Sequence, residues 1–268
     1  MPHRASPRDY ADRVALFSAA IGGAVVAGTA ALLAGAVAIA GARRAVIRRR
    51  GGGMTRLAET IPVNSAYWRE QHRRSGELLY VALGDSAAQG IGASRPGHSY
   101  VGLVARDIRN LSGRTVRVAN LSQSGARLRE ALERQLPMLA TLEPDIVTVA
   151  IGANDIAGFE PERFEREIRM LFAALPAQAI VADVPSFYLG RAEQHARVAN
   201  RIVHTVAAEF GLAVAPLHRV TRRRSAARTA LRDVAADFFH PNDRGYTVWA
   251  SAFAPLVAAA VARLEVPE

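Results

Sequence analysis

The sequence predicts an α/β fold in which helices cover both faces of a parallel sheet. Two observations carry this expectation. From Glu77 onward, short and nearly continuous apolar runs alternate with longer segments of helical spacing. Such runs read as strands buried on both faces. Polar and glycine-rich clusters also stand directly after these runs, where open parallel sheets bind their ligands.

Leu78 to Leu83 is apolar and ends at Gly84, which predicts a first strand. Tyr100 to Arg109 has helical spacing. Thr115 to Asn120 reads as a second strand, and Arg127 to Leu139 as a second helix. Asp145 to Ala150 is a third strand. Pro161 to Leu175 is a helix with proline at a first-turn position, where its missing N–H costs nothing. Ala179 to Val184 is a fourth strand, stopped by Pro185. Ala192 to Phe210 is a helix closed by Gly211. Leu212 to Ala215 makes a fifth, short strand, and a last helix runs from about Arg244 to Leu264.

The chain has 268 residues, enough for one globular domain and an appendage. Residues 14–42 carry no charge over about 29 residues. A spanning helix needs roughly 20 apolar residues, so the expectation is an N-terminal transmembrane anchor. A cleaved signal peptide, with an apolar core of about 7 to 15 residues, fits less well. A start at Met54 would remove the segment altogether. The expected organisation is a flank at 1–13, the anchor at 14–42, a basic and glycine-rich lead-in at 43–76, and the main domain at 77–268. This places the protein in the cell membrane with a single pass. Six arginines between Arg43 and Arg56 favour a cytoplasmic side for the main domain.

The net charge is +10, and all 34 of the Lys+Arg residues are arginine. The arginines are scattered over Arg43–Arg50, Arg73–Arg74 and Arg222–Arg224 rather than forming one stripe, so no nucleic-acid partner is expected. There is no cysteine. Disulfides, thiolate catalysis and cysteine-ligated metal centres are excluded.

Four blocks carry chemistry. The first strand runs into Gly84-Asp85-Ser86, which places a serine hydroxyl on a tight turn at the sheet's edge, the logic of a nucleophile elbow without its Gly-x-Ser-x-Gly pattern. The second runs into Asn120-Leu121-Ser122-Gln123-Ser124-Gly125-Ala126, where an N–H at Gly125 is unshielded by a side chain. The third runs into Gly152-Ala153-Asn154-Asp155; a side-chain amide there can donate to developing negative charge, a contribution of about 3 kcal/mol. Near the C-terminus comes Asp237-Phe238-Phe239-His240-Pro241. Serine needs a base at neutral pH. Histidine supplies it when a carboxylate holds its ring. Each block alone is also an ordinary turn; chance rarely supplies all four in order.

Together these blocks resemble those of the SGNH hydrolases, the GDSL-like lipases and esterases. The resemblance covers roughly Glu77 to Arg263. It departs at Ala87, where the older motif name has leucine. It implies a flavodoxin-like three-layer sandwich with a five-stranded parallel sheet. It implies a triad of Ser86, His240 and Asp237, and an oxyanion hole from the Ser86 and Gly125 N–H groups with the Asn154 side chain. Asp85 and Asp155 would hold the adjoining loops by hydrogen bonds. No cofactor and no metal are implied. Many relatives are exported, which opposes the arginine argument for the cytoplasmic side.

The expected activity is therefore hydrolysis of carboxylic esters through an acyl-enzyme. The substrate class spans small esters, lipids and acylated glycans. An acyltransferase using the same residues, or a membrane-tethered binding module without catalysis, are the alternatives. His98, His195, His204 and His218 have no carboxylate at matching spacing and read as surface or helix residues. Asp183 reads as a turn residue before Pro185, and Trp249 as packing.

Overall fold

Alternation along one strand explains the layers. In β1 (Leu78–Gly84), Leu78, Tyr80 and Ala82 pack into one core, while Leu79, Val81 and Leu83 pack into another on the opposite face. Side chains of successive strand residues point to opposite faces, so an unbroken apolar run requires a helical layer on each side. The computed structural model describes residues 52–53, 55–223, 229, 232–237 and 239–264. The predicted anchor at 14–42 and its flank at 1–13 lie outside the described residues.

The first core joins the sheet to α1 (Ile61–Arg73), the short α2 (Ser86–Gln89) and α3 (Tyr100–Ser112). The second joins it to α4 (Leu128–Glu130), α5 (Leu136–Leu139), α6 (Pro161–Ala173) and α7 (Gly190–Glu209). The remaining strands are β2 (Val116–Asn120), β3 (Ile146–Ala150), β4 (Ile180–Ala182) and β5 (Ala213–Ala215), with α8 (Leu217–Arg222) and α9 (Asp243–Leu264) after them. All pairings are parallel and the order is β2-β1-β3-β4-β5. The chain order reverses between β1 and β3, which makes their carboxyl ends the switch point where such sheets form a crevice.

Two segments differ from the sequence expectation. The predicted helix from Arg127 to Leu139 is interrupted by a π-helical turn over Ala131–Gln135. Pro137 has no N–H, and its ring would meet the carbonyl of Glu133 in a regular α-turn. The wider turn, with Leu136 N–H donating to Ala131 O, accommodates it. The lead-in before Glu77 is also more than a linker. The compact unit begins at Gly52, and α1 packs within it. Trp68 Nε1 and Asn64 Nδ2 both donate to the carbonyl of Gln89, at 3.0 and 2.9 Å.

Among the described residues, α9 alone is long and apolar enough to cross a membrane. Its Tyr246, Trp249, Phe253, Val257 and Val261 are buried in the first core, and Tyr100 stacks on Phe253 with ring centroids 5.2 Å apart. That packing accounts for its composition.

Candidate active site

Ser86 sits at the first residue of α2, directly beyond β1. The turn is tight because Gly84 has no side chain. A Cβ there would stand 2.6 Å from the carbonyl oxygen of Ala150 in β3 and 2.9 Å from Ala88 Cβ. Asp85 caps α2, its Oδ1 accepting the Ala87 N–H at 2.9 Å. Gln135 in the π turn completes the support. Its Oε1 accepts the Gly84 N–H at 2.9 Å, and its Nε2 donates to the Gly84 carbonyl at 2.8 Å. π turns recur at functional sites. Here the turn delivers a fully buried amide to both backbone groups of the residue two before Ser86.

The loop after β2 is tied to the same helix. Asn120 Nδ2 donates to Ala88 O, Gln89 Nε2 to Ser122 O, and Ser124 Oγ to Gln89 Oε1. Gly125 lies at the exposed tip of this loop with φ at +78°, a conformation that L side chains rarely adopt. It does not line the cavity that contains Ser86. Beyond β3, Asn154 Nδ2 donates to Ala126 O at 2.9 Å and faces Asp85 Oδ2 at 3.4 Å. Asp155 Oδ2 accepts the Leu128 N–H, which joins the loops after β2 and β3.

His240 arrives from the other end of the chain. Its turn is closed by a bridge between Val234 and Pro241 and by Ala235 N–H donating to His240 O. Asp237 Oδ1 accepts the Phe239 and His240 N–H groups, each at 3.0 Å. Its Oδ2 stands 2.6 Å from His240 Nδ1, and His240 Nε2 stands 2.7 Å from Ser86 Oγ. With Nδ1 protonated toward the carboxylate, Nε2 is left to accept the serine proton. Burial pushes the Asp237 carboxyl up, but hydrogen bonds from His240 and Phe239 outweigh it and hold the group below its ordinary value.

These residues open onto a cavity of about 210 Å³ whose lining includes Ser86, Asn154 and His240. Its walls are mainly apolar, among them Phe187, Tyr188, Val248 and Trp249. Trp249 thus lines the cavity as well as packing against Tyr100 and Tyr246, a role beyond the packing expected of it.

Burial pushes the Asp85 carboxyl up to about 6, while the Ala87 N–H and the His240 charge pull it down. Burial likewise takes Asp155 to about 6. An acid raised in the folded state binds its proton more tightly there than when unfolded. Its contribution to stability therefore falls as pH rises from about 4 to about 6. Asp85→Asn keeps the acceptor for Ala87 and removes the buried charge. The variant is expected to gain about 2 kcal/mol over wild type, roughly 4–8 °C in Tm, at pH 7.5 relative to pH 4.5. It is also expected to lose about tenfold in kcat/KM toward an ester, because two amide NH₂ groups would then meet at Asn154. Thermal scans at both pH values and ester turnover check this; a Tm difference independent of pH would contradict it.

Three of the histidines that have no carboxylate at matching spacing meet one in the fold. His98 Nδ1 meets Asp243 at 2.9 Å, His204 meets Asp183 at 3.2 Å, and His218 meets Glu193 at 3.1 Å. Asp183 is buried and also accepts the His218 N–H at 2.7 Å. None of these pairs has a sequence spacing that marks it. His195 instead faces the carbonyl of Ile156. Of the arginine trio, Arg222 is held by Glu193, Arg223 is exposed, and Arg224 lies outside the described residues. Gln135, Gln89 and Glu193 carry no local signal in the sequence; each acts on a partner brought near by the fold.

Solved structures share this architecture. An alpha/beta hydrolase, LAE5, from the metagenome of Lake Arreo is 23% identical, covering 73% of this chain and all of its own, with a TM-score of 0.56. The acetylxylan esterase Axe2 of Geobacillus stearothermophilus is 20% identical over 68% of this chain and 95% of its own, with a TM-score of 0.54. A lipase/acylhydrolase of Enterococcus faecalis is 20% identical over 68% and 96%, with a TM-score of 0.57. At these identities the likeness is one of fold. No curated protein matches the chain. Residues 82–248, which run from within β1 to within α9 and include every residue from Ser86 to His240, match a family model, and the chain belongs to the GDSL-like Lipase/Acylhydrolase family.

Proposed function

We propose that the protein is a serine esterase that hydrolyses carboxylic esters through an acyl-enzyme on Ser86. One observation carries the reading: the unbroken relay from Ser86 Oγ to His240 Nε2 at 2.7 Å, and from His240 Nδ1 to Asp237 Oδ2 at 2.6 Å, at an apolar cavity. In this reading His240 takes the hydroxyl proton as Ser86 Oγ attacks the ester carbonyl. Asp237 stabilises the imidazolium so formed. The Ser86 N–H and the Asn154 amide, both in the cavity lining, stabilise the tetrahedral oxyanion. The intermediate collapses, the C–O bond to the alcohol breaks, and His240 returns its proton to the leaving oxygen. Water then attacks the acyl-enzyme with His240 again as base, releasing the acid and restoring Ser86. Asp85 and Asp155 keep the loops after β1, β2 and β3 in register.

The experiment is to trap the intermediate. Rapid acid quench of the full chain with a p-nitrophenyl ester, then peptide mass spectrometry, is expected to find the acyl mass on the peptide containing Ser86. Turnover without acylation of that serine would overturn the reading.

We also assign residues 14–42 as a membrane tether, on the strength of their length and lack of charge. The full chain is then expected in the membrane fraction, released by detergent and not by alkaline carbonate. Release by carbonate would refute the tether.

A further inference from the structure

We propose that the cavity beside Ser86 holds a medium-length aliphatic acyl chain, of about six to eight carbons, and that Glu193, outside the cavity, fixes the wall that closes it. The proposal rests on the esterase reading and names its substrate class.

The cavity measures about 210 Å³. A dry apolar cavity of about 150 Å³ takes up benzene, six carbons. Scaling by volume gives room for about eight. Pro185, Phe187, Tyr188, Val248 and Trp249 offer hydrocarbon surface, which suits an alkyl chain and disfavours a hydrated sugar. The two-step chemistry assigns the acyl half to this space. The alcohol must leave and be replaced by water, so it needs the open side. The acyl group stays through both steps, and the apolar wall beside Ser86 suits it.

The wall is held from behind. Pro185 to Tyr188 come after β4 and carry an unusual conformation. Tyr188 has φ of +65°, a left-handed backbone that is strained for a bulky residue. Such conformations persist only where surrounding contacts impose them, and they cluster at ligand sites. The imposing contacts are hydrogen bonds. Ser186 Oγ accepts the Tyr188 N–H, and Tyr188 Oη donates to the Thr221 carbonyl at 3.0 Å. Ser186 N–H donates to Thr221 Oγ1. Glu193, in the first turn of α7 and only 4% exposed, gathers the rest. Its Oε2 accepts from Ser186 Oγ and from the Phe187 N–H, both at 2.9 Å. Its Oε1 accepts from Arg197 Nε at 3.1 Å and Arg222 Nη1 at 2.7 Å, and stands 3.1 Å from His218 Nε2. One carboxylate therefore ties the wall to α7 and α8. Glu193 does not line the cavity, so its part in the reaction is to position Phe187 and Tyr188.

The test is the acyl-length profile of the full chain with p-nitrophenyl acetate, butyrate, hexanoate, octanoate, dodecanoate and palmitate. Fluorophosphonate labelling of Ser86 is measured alongside. Expected is a kcat/KM maximum at hexanoate or octanoate, at least tenfold above acetate, with a fall by dodecanoate. Glu193→Ala is expected to lower the octanoate-to-acetate ratio about tenfold through the octanoate KM, with acetate kcat held within about threefold. Glu193→Gln, which retains an acceptor for the Phe187 N–H, is expected to recover part of that ratio. Should Glu193→Ala fail to fold, Val248→Phe narrows the cavity directly and is expected to move the optimum to butyrate or acetate.

A labelled, active enzyme with its maximum at acetate, or with activity still rising at palmitate, would overturn the chain-length assignment and leave the esterase reading standing. Preference for octyl acetate over p-nitrophenyl octanoate would overturn the acyl placement. An unchanged ratio in a folded Glu193→Ala would overturn the role of Glu193. Absence of both turnover and labelling would overturn the esterase reading and this inference with it.

Discussion

Ser86→Ala is expected to lower kcat toward p-nitrophenyl esters by about 10⁴- to 10⁶-fold while leaving the fold intact. The hydroxyl is the only atom group lost. The backbone around it is held independently, by Gln135 on Gly84 and by Asp85 on the Ala87 N–H. No cavity of consequence opens, because Ser86 already faces the space beside His240. Stability should therefore change by less than about 1 kcal/mol. The measurement is steady-state turnover beside a thermal scan. The same loss is expected from His240→Ala, and the double variant should be no worse than either single one, since the two side chains act as one unit. Losses that multiply, or a Ser86→Ala variant within tenfold of wild type, would show that the relay does not carry the reaction.

Asp237→Asn is expected to cost about 10⁴-fold in kcat with little change in shape. The reason lies in how both carboxylate oxygens are used. Oδ1 already accepts two backbone N–H groups, from Phe239 and His240, and Oδ2 faces His240 Nδ1. An asparagine keeps its single carbonyl oxygen with the two N–H donors and turns its NH₂ toward Nδ1. Nδ1 must then accept, the ring proton moves to Nε2, and Nε2 can no longer take the proton from Ser86. The wild-type carboxyl is held below its ordinary value by these partners. Its contribution to stability is present above the ordinary carboxylate range and is lost as pH falls through the depressed value. Asp237→Asn should lack that acid-side loss. Turnover and Tm across pH 3 to 8 give both readouts; a kcat loss below tenfold would contradict the tautomer argument.

Legibility tracked the range of the interaction. The strands were readable because a parallel strand between two helical layers is apolar at every position, as Leu78 to Leu83 are. Their ends shifted by a residue or two, since pairing with neighbours sets where a strand stops. The segment from Arg127 looks like one continuous helix because apolar spacing does not register the i→i−5 widening ahead of Pro137. The segment that forms α1 shows in the sequence only as part of a basic and glycine-rich lead-in, and its bonds to Gln89 leave no mark there. Ser86, Asn154, Asp237 and His240 stood out through motif blocks after strands and in one turn; no periodicity marks them.

By itself the sequence determined the fold class, the family resemblance and the residue types able to supply a nucleophile, a base and an orienting carboxylate. These depend on neighbours within a few positions: a strand, its turn, or the three-residue step from Asp237 to His240. Only the tertiary structure decided which groups meet. Ser86 and His240 are 154 residues apart, Gly84 and Gln135 are 51 apart, and Glu193 reaches Arg222 across 29. The cavity and its Tyr188 wall belong to the same class. Such contacts arise because the order β2-β1-β3-β4-β5 brings the strand ends to one edge, and the hydrogen bonds made there leave no spacing in the chain to read.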